Sequence, residues 1–532
     1  MSRAAGDENK TPHDEQAAGE SSNIVDSSKQ PAVSIGDAAV SESLSGTTNA
    51  VFTLSLSAAT GRTVSVELLT ADGSATAGQD YQPASGTFTF APGETSKTFT
   101  VVVNGDTLDE TNPETFFVDL TNPVNATIAD GRGQGTINNN DTPVLQFVGV
   151  ALSANEGGHG ISVLVTRTGN ASGFLTIDYA TTDGTASERS DYTTALGTLR
   201  FAPGETTKIF TVLLTEDGFQ EPDETINLTL SNPTGGAVLA GQSSAVLTIS
   251  DNDAAPAAVN PIDTPNLFVR QHYHDFLNRE PDASGLQFWT GQLLASGSDA
   301  GCTDFRRVSV SQAFFLSIEF QRTGYQVIRV YKASFTDSPG QPRSLPRLRE
   351  LLRDTQELQR GVVVGQDGWE QRLQQNTLDY ARRWVASAEF VAEFPAAMTA
   401  EQYVDKLFQN SEVVPTSGER DAALAAYGAG GTEGRAQALL SVTGSGSVYN
   451  RQYNPAAVLM QYFGYLPRNP DDPPELNLDF GGYDFWLTKL NNHSLPGEDV
   501  RDEETARARL LRAQMVRSFL VSGEYRERFG AP

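Results

Sequence analysis

Apolar and polar residues alternate with a period of two through much of the first half of the chain. The runs at 98–103 and 226–230 show this pattern, which is typical of half-buried β-strands. Between residues 143 and 253 the pattern predicts seven strands, which we name A to G in chain order. Their predicted bounds are 144–150, 161–168, 174–181, 197–201, 208–215, 225–230 and 245–249.

The strand-rich half contains an internal repeat. Residues 70–101 and 181–212 align without a gap at an offset of 111 residues, with 19 of 32 positions identical. A period of that length suits a whole β-sandwich domain and is too long for a solenoid unit. We therefore predict one sandwich over residues 31–142 and a second over residues 143–253.

Helical spacing replaces the strand pattern in the second half. Residues 254–265 read AAPAAVNPIDTP, which predicts an extended, semi-stiff linker acting as a hinge before the helices. Residues 266–532 are predicted to form an all-α domain with degenerate internal repeats. Residues 1–30 are polar and acidic, and their composition predicts disorder. The fold class is thus β followed by α in one multidomain chain.

Two short motifs recur in the helical half. The first is Arg-x-Pro-Asp, at 279–282 and 468–471, and the second is Ser-x-Glu-aromatic, at 317–320, 387–390 and 522–525. Their aromatic positions are interpreted as core packing. Asp282 and Asp471 each follow a proline and are predicted to cap the next helix.

Charge is concentrated in the strand-rich half. The whole chain has a net charge of −28, and residues 31–253 carry 26 Asp and Glu against 7 Lys and Arg, a net charge of −19. Such a surface repels nucleic acid and anionic membranes and attracts cations. The single cysteine, Cys302, excludes an internal disulfide and a thiolate metal cluster. No stretch is long and apolar enough to predict a transmembrane segment.

The acidic residues of the second repeat are predicted to meet at one end of the sandwich. If successive strands alternate in direction, the A–B, C–D and E–F loops and the exit of strand G share one pole. These segments contain Glu156, Asp183, Asp191, Asp217, Glu221, Glu224, Asp251 and Asp253, whereas the turns at the opposite pole contain one carboxylate, Glu205.

Converging carboxylates point to a hard divalent cation. They repel one another unless a cation neutralises them, and Ca²⁺ accepts six to eight oxygen ligands with flexible geometry. Mg²⁺ requires stricter octahedral geometry, and zinc prefers His or Cys ligands, which this cluster lacks. The alternative is that these acids are simply solvated loop residues.

At these residues the sequence resembles the Calx-β family of immunoglobulin-like sandwiches, which occurs in sodium–calcium exchangers, integrin β4 and many bacterial surface proteins. The resemblance rests on DGTASERSDY, GTLRFAPGETTKIFTV, EDGFQEPDETINLTLSNP and ISDND in the second repeat, and on DGSATAGQDY, FAPGETSKTFTV, GDTLDETNPETFFVDLTNP and INNND in the first. It implies calcium at the pole described above.

The resemblance also implies the ligands of each sandwich. In the second repeat they are Glu156, Asp191, Asp217, Glu221, Glu224, Asp251 and Asp253. In the first repeat they are Glu42, Asp80, Asp106, Glu110, Glu114 and Asp141, with Asn139 standing where the second repeat has Asp251. The E–F loop of the first repeat is also one residue longer.

The helical half resembles the bacterial domain of unknown function DUF4214. The residues that carry this resemblance are FVRQHYHDFLNREPDASGLQFW, FFLSIEF and WVASAEF, over about 265–395. The family is common in large secreted or surface proteins and has no assigned chemistry, so it implies a location more than an activity.

No catalytic constellation is visible in the sequence. His272 and His274 are two residues apart and so face different sides of a helix, and Cys302 has no identifiable histidine partner. We interpret the chain as a calcium-binding, non-catalytic surface, secreted or adhesion protein, with another protein or a surface glycan as its partner. The alternative is an accessory region of a secreted hydrolase. The N-terminal sequence lacks the apolar core of a conventional signal peptide, which leaves the export route open.

The second sandwich is predicted to bind Ca²⁺ more tightly than the first. Asp251 supplies a charge that Asn139 does not, and the charge of the ligand set tunes calcium affinity over orders of magnitude. Calorimetric titration of fragments 31–142 and 143–253 measures both affinities. Equal affinities, or tighter binding by the first fragment, would contradict the prediction.

Overall fold

The computed structural model describes residues 30–106, 110–253, 259–295, 297, 299–337, 344–475 and 477–531. The chain divides into two compact units, Met1–Thr142 and Pro143–Pro532. Nearly all of the segment predicted to be disordered, and the centre of the predicted linker at 254–258, lie outside the described residues.

The first unit is a sandwich of two sheets. Its strands are β1 (Ala32–Ile35), β2 (Ala38–Ser41), β3 (Gly46–Leu56), β4 (Val64–Asp72), β5 (Ser85–Phe90), β6 (Ser96–Gly105), β7 (Glu114–Val124), β8 (Thr127–Asp130) and β9 (Arg132–Asn138). One sheet has the order β6-β3-β1-β8, and the other β2-β9-β7-β4-β5. Apolar residues alternate along the strands and fill the space between the sheets, where Tyr81 stacks on Phe116 at 4.5 Å.

The second unit begins with a sandwich of matching topology. Its strands are β10 (Val144–Phe147), β11 (Ala151–Asn155), β12 (Gly160–Thr168), β13 (Leu175–Asp183), β14 (Tyr192–Thr193), β15 (Leu196–Phe201), β16 (Thr207–Leu214), β17 (Glu224–Ser231), β18 (Val238–Leu239) and β19 (Ser244–Ser250). The sheets run β14-β16-β12-β10-β18 and β11-β19-β17-β13-β15. The strand predictions B to G are therefore confirmed to within two residues at each end.

The prediction for strand A is corrected at its end: β10 stops at Phe147, three residues before the predicted end, and the chain then enters β11 of the other sheet. β10 pairs with β12 in one sheet, and β11 pairs in parallel with β19 in the other. Gly149 lies between them with a φ of 101°, a backbone conformation that glycine adopts without steric cost. The bend at this glycine lets one continuous stretch serve both sheets, which an alternating sequence pattern does not reveal.

From Pro265 onward the described residues form a helical array. The helices are α1 (Pro265–Leu277), α2 (Ala283–Leu294), α3 (Ala300–Phe315), α4 (Ile318–Arg322), α5 (Gly324–Ser334), α6 (Leu348–Gln359), α7 (Trp369–Val385), α8 (Ala388–Glu393), α9 (Ala400–Asn410), α10 (Ser417–Tyr427), α11 (Gly431–Gly444), α12 (Gly446–Tyr465), α13 (Gly481–Asn492), α14 (Glu503–Ala513), α15 (Met515–Leu520) and α16 (Gly523–Arg526). None of these helices combines the length and apolar character needed to cross a bilayer.

The recurring Ser-x-Glu-aromatic motif starts a short helix in each copy. Ser317, Ser387 and Ser522 accept a hydrogen bond from the backbone N–H three residues later, as N-cap residues do. The aromatic residue at that third position is at most 2% exposed in all three copies. The interpretation of these aromatic residues as core packing is therefore confirmed.

The two motifs of the helical half meet in space. Arg279 forms a bidentate pair with Glu319 at 3.1 and 2.9 Å, and Arg468 pairs in the same way with Glu524 at 2.5 and 3.1 Å. Each pair joins an Arg-x-Pro-Asp motif to the next Ser-x-Glu-aromatic motif in its copy. The carboxylates of Glu319 and Glu524 thus hold the repeated units together.

The two predicted helix caps have different outcomes. Asp282 accepts a hydrogen bond from the Gly285 N–H at 2.9 Å and caps α2, as predicted. The prediction for Asp471 is wrong: α13 begins only at Gly481, and Asp471 instead accepts from Arg347 at 2.5 Å. The insertion after Asp471 moves the next helix out of reach of its side chain.

The second sandwich packs directly against the helices, which corrects the expectation of a hinge between them. Arg200 on β15 pairs with Glu357 on α6 at 2.8 Å, and Arg349 on α6 pairs with Glu188 at 2.6 Å. Asn260, at the end of the predicted linker, donates to the Arg526 carbonyl at 3.0 Å. Long-range pairs of this kind are invisible in the sequence, because polar residues of a sandwich face are ordinarily solvated.

We predict a measurable coupling energy between Arg200 and Glu357. Their side chains are about one-fifth exposed and make two hydrogen bonds, so a double-mutant cycle of R200A and E357A should give about 0.5–3 kcal/mol in the free energy of unfolding. The exposed pair Arg132–Asp119 is the control, and its coupling energy should be smaller because solvent screens it. Strict additivity at Arg200 and Glu357 would contradict the docking.

Candidate metal centre

Four segments of the second sandwich bring carboxylates to one pole. Glu156 follows β11, and Asp191 immediately precedes β14. Asp217 follows β16, and Glu221 and Glu224 lead into β17. Asp251 and Asp253 follow β19. The acids lie at strand ends or in the loops between strands. These loops share one side of the sandwich because neighbouring strands alternate in direction.

The acids form two adjoining triads that share Asp217. Carboxylate oxygens of Glu156, Asp217 and Asp253 lie within 4.8 Å of one another, as do those of Asp191, Asp217 and Glu221. Glu224 and Asp251 line the same small cavity of about 10 Å³, close to the space that one water molecule requires. Six of the seven ligand candidates of this sandwich therefore line one cavity, and Asp253 joins them through the triad with Glu156 and Asp217.

Backbone hydrogen bonds hold the acidic side chains in place. The Asp217 N–H donates to Glu156 Oε1 at 2.7 Å, which joins two of the loops. The Glu221 N–H donates to Asp251 Oδ2 at 2.9 Å, and the Asp253 N–H donates to Asp251 Oδ1 at 2.7 Å. These contacts organise the loops: Glu156 accepts through one carboxylate oxygen, whereas both oxygens of Asp251 accept a backbone N–H.

The electrostatic cost of this arrangement appears in the pKa values. Burial, assisted by Asp217, Glu216 and Asp253, raises the pKa of Glu156 to about 8. Burial also raises the pKa of Asp217 to about 7, and burial with Asp191 raises the pKa of Glu224 to about 8. Near neutral pH these carboxyls hold protons that a cation would displace.

The first sandwich has a corresponding cluster. Oxygens of Asp80, Glu110 and Glu114 lie within 4.8 Å of one another. Burial raises the pKa of Glu42 to about 7, with further contributions from Asp141, Asp106 and Glu110. Burial followed by repulsion from Asp80 raises the pKa of Glu114 to about 7. The six acids that the resemblance implies are thus brought together in this sandwich as well.

Asn139 takes over the loop-forming role of Asp251 without its charge. In the first sandwich the Asp141 N–H donates to Asn139 Oδ1 at 2.7 Å, and the second sandwich has the same bond from Asp253 to Asp251. An amide oxygen is sufficient for this turn. The substitution therefore preserves the loop and lowers the negative charge available to a cation.

Glu216 is an acid of this pole that the sequence analysis missed. Burial raises its pKa, its Oε2 atom is buried without a hydrogen-bond partner among the described residues, and Oε1 accepts from Asn252 at 3.0 Å. The aligned position in the first sandwich is Gly105, where a Cβ atom would lie 1.9 Å from the Ser43 carbonyl. Glu216 directly precedes Asp217 in the loop after β16, and this adjacency is the sequence signal that could have found it.

Asp183 belongs to the loop framework and not to the cluster. Its Oδ1 atom accepts from the Tyr192 hydroxyl at 2.7 Å and from the Glu188 N–H at 2.9 Å. Asp72 makes the equivalent contacts with Tyr81 and Ala77 in the first sandwich, at 2.6 and 2.8 Å. The conserved geometry of this aspartate and tyrosine fixes the turn that precedes Asp191 and Asp80.

The donor set fits a hard, oxygen-seeking divalent cation. The buried atoms Asp80 Oδ1, Glu42 Oε1 and Asp253 Oδ2 have no hydrogen-bond partner among the described residues, and such atoms are costly unless something pairs with them. Every member of both clusters offers oxygen and none offers nitrogen or sulfur. Ca²⁺ prefers ligands of this kind.

The histidines of the helical half have structural partners. His272 is 1% exposed, with Nδ1 at 2.7 Å from the Phe268 carbonyl and Nε2 at 2.5 Å from Ser311 Oγ, and burial lowers its pKa to about 3. His274 Nε2 lies 2.5 Å from Glu280 Oε1. The two rings point to different neighbours, so they do not form a metal pair.

Comparison with known protein families shows which family the two sandwiches match. The Calx-beta domain family matches residues 26–136 and again residues 138–253. The chain carries two Calx-beta domains in tandem. The family described as a domain of unknown function, DUF4214, matches residues 260–323, directly after the second Calx-beta domain. Both expected resemblances are confirmed.

Similar proteins match about a third of this chain. Extracellular matrix protein 3 of Lytechinus variegatus is 34% identical over 196 residues, which is 34% of this chain and 6% of that protein. Sodium/calcium exchanger 2 of Homo sapiens is 30% identical over 190 residues, or 32% of this chain and 20% of that protein. Adhesion G-protein coupled receptor V1 of Danio rerio is 29% identical over 228 residues, which is 37% of this chain and 4% of that protein. The chain thus spans a fifth or less of each relative's length.

Solved structures also align with part of this chain. The crystal structure of CBD12 from CALX1.2 is 21% identical, covers 41% of this chain and 99% of that chain, and has a TM-score of 0.34. The apo-form Calx CBD1 domain is 31% identical, covers 21% of this chain and 99% of that chain, and has a TM-score of 0.21.

We predict that the metal-free protein loses stability as the pH rises. The folded-state pKa values of Glu156 and Glu224 are raised to about 8 and that of Asp217 to about 7, so their contribution is fully present below about pH 4 and is lost as the pH rises through 7 to 8. Melting curves with EDTA at pH 5.5 and 8.5 should therefore show a lower Tm at the higher pH.

The variant E156Q serves as the matched control for this prediction. An amide keeps the shape of the side chain and cannot ionise, so the EDTA-treated variant should lose less Tm between the two pH values than the wild type. Excess Ca²⁺ should abolish the wild-type loss. A Tm in EDTA that rises toward pH 8.5 would show that the acids are not held close together.

Proposed function

We propose that this chain is a calcium-binding, non-catalytic interaction protein of a cell surface or of the extracellular space. The single observation that carries the proposal is the recurrence of one oxygen-only acid cluster at the same strand ends of both Calx-beta domains. One such cluster is a common surface feature, but a repeated cluster with buried, unpartnered oxygens calls for a cation that relieves the repulsion. The ligands are the thirteen acids named for the two sandwiches.

The relatives support the location outside the cell. Two of them are named as an extracellular matrix protein and an adhesion receptor, and each resembles about a third of this chain. The helical part supplies the contact surface in this proposal, and its partner is another protein or a surface glycan. The strongly negative sandwiches disfavour nucleic acid as a partner.

Calcium removal tests the binding proposal. A cation bound only by the folded state stabilises it by about 2.7 kcal/mol at a hundredfold excess over the dissociation constant, so wild-type protein should melt at a higher temperature in Ca²⁺ than in EDTA. D217A and D253A should lose most of this difference. E205A, which removes an acid paired with Lys208 outside the cluster, should retain it. Identical wild-type melting curves in Ca²⁺ and EDTA would refute calcium binding.

We further propose that calcium stiffens the tandem sandwiches into a stalk. Only Thr142 and Pro143 separate Asp141, a proposed ligand of the first domain, from the start of β10. Because the linker is this short, Asp141 is at once a proposed ligand and part of the junction. Without a cation, repulsion between Asp141 and the other acids of the first domain loosens the junction. Neutralising these acids therefore restricts the angle between the domains in this proposal.

Small-angle scattering of residues 31–253 tests the stalk. The distance distribution should narrow in Ca²⁺ and broaden in EDTA, and D141A should remove the difference. The second-domain variant D253A should retain much of it. If the wild-type distribution does not change, calcium acts only within each domain and the stalk proposal fails, whereas the melting experiment on calcium binding stands separately.

A further inference from the structure

One buried arginine of the helical half lacks the acceptors that every other buried arginine has. Six arginines are less than 9% exposed among the described residues. Arg468, Arg509 and Arg528 each bind a carboxylate, and Arg167 and Arg435 each bind two backbone carbonyls. The sixth, Arg329, has neither kind of acceptor among the described residues: it donates to the side-chain oxygen of Gln326 at 2.6 Å, and the Tyr325 and Tyr449 hydroxyls also interact with it.

Aromatic rings enclose the Arg329 guanidinium without neutralising it. Its Cζ atom lies 4.3 Å from the centre of the Tyr325 ring and 4.5 Å from that of Tyr449. Both Nε and Nη1 are buried without a hydrogen-bond partner among the described residues. Cation–π contacts offset part of the cost of burying this charge, but an arginine edge without an acceptor remains costly.

Arg329 also lines a wide cleft formed by α4, α5, α7, α11 and α12. The cleft has a volume of about 790 Å³, within the range of small-molecule sites. Arg322 and Arg501 line it as well, but Glu370 and Asp499 neutralise them. Glu503 also lines the cleft and pairs with Arg507. Among the described residues that line the cleft, Arg329 is therefore the one cation without a carboxylate partner.

We propose that this cleft binds the carboxylate of a small organic acid against Arg329. A planar carboxylate matches the planar guanidinium and supplies the charged acceptor that the protein does not. A single uncompensated cation favours a monoanion over a phosphate dianion. A modest movement of the flexible Arg329 or Gln326 side chain within the cleft brings the guanidinium edge to the ligand.

The rest of the cleft indicates what the acid carries. Leu373, Leu378 and Leu440 provide an apolar wall, and Gln374 and Gln437 provide amide groups. An aromatic acid would use the leucines, whereas a sugar acid would use the amides for its hydroxyls. Both kinds of acid share the carboxylate, and the probe that binds shows whether the rest of the ligand is aromatic or a sugar.

Binding to the full-length protein tests the proposal with four probes at constant ionic strength. Sodium benzoate and sodium D-glucuronate carry the carboxylate, and benzyl alcohol and D-glucose are their neutral counterparts. Saturation-transfer NMR and calorimetry should detect at least one carboxylate probe with a Kd of about 1 mM or tighter, at least tenfold tighter than its neutral counterpart. Failure of both carboxylates to bind up to about 10 mM, or equal binding of a neutral counterpart, would overturn it.

Two variants separate a ligand-binding role from a purely structural one. R329M removes an unpaired buried charge, so its Tm without ligand should equal or exceed that of the wild type, while carboxylate binding should fall at least tenfold. R435M is the control: Arg435 also lies over a tyrosine, Tyr403, at 5.0 Å, but its carbonyl acceptors are present, so this variant should lose Tm and retain binding.

R329K keeps the proposal testable if R329M does not fold. It retains the charge and loses the planar fork, so it should bind the carboxylate more weakly than the wild type and more tightly than the neutral counterpart. Unchanged carboxylate affinity in R329M or R329K would overturn the proposal. A loss of Tm in R329M as large as that in R435M would also do so, because it would assign Arg329 a structural role.

Discussion

Repulsion among carboxylates at one pole of each sandwich is the constraint on which the rest of this molecule depends. Folding the strands brings their acidic ends together, and burial then raises the pKa values of Glu42, Glu114, Glu156, Asp217 and Glu224 to about 7 or 8. Either bound protons or a bound cation can neutralise these carboxylates and so remove the repulsion between them. The loops are held by backbone hydrogen bonds, so they stay in place with either one.

The two sandwiches meet this constraint to different degrees. The second adds Asp251 and Glu216 to its pole, whereas the first has Asn139 and Gly105 at the aligned positions. The Asn139 amide preserves the turn, and Gly105 is required by the approach of the Ser43 carbonyl. Local packing in the first sandwich therefore sets an upper limit on its charge, and the difference between the two domains has a structural origin.

The helical part connects to this charge balance through the second sandwich. The loop that ends at Asp191 is held from outside, because Glu188 pairs with Arg349 and the Arg189 carbonyl accepts from Arg528 at 2.9 Å. In the helical half, arginines paired with carboxylates or backbone carbonyls join the repeated motifs to each other and the second sandwich to the helices. Arg329 has no such partner among the described residues, so its cleft is a place where an acceptor from outside the chain would be stabilised.

The sequence alone determined the strands B to G, the repeat and most of the acids that meet at each pole. These features follow from local periodicity and from strand direction, both of which are written in neighbouring residues. The same holds for Asp282 and for the serines that start the short helices, since a cap requires only a residue type at a fixed spacing.

Only the tertiary structure decided the remaining features. The early end of strand A and the passage of the chain into the other sheet depend on one glycine bend, and the role of Glu216 depends on how its loop closes over the pole. The docking of the second sandwich on the helices and the isolation of Arg329 depend on pairs of residues far apart in the chain. Long-range pairing leaves no periodic trace, because the free energy of each contact is set by burial and by partners that come together only when the chain has folded.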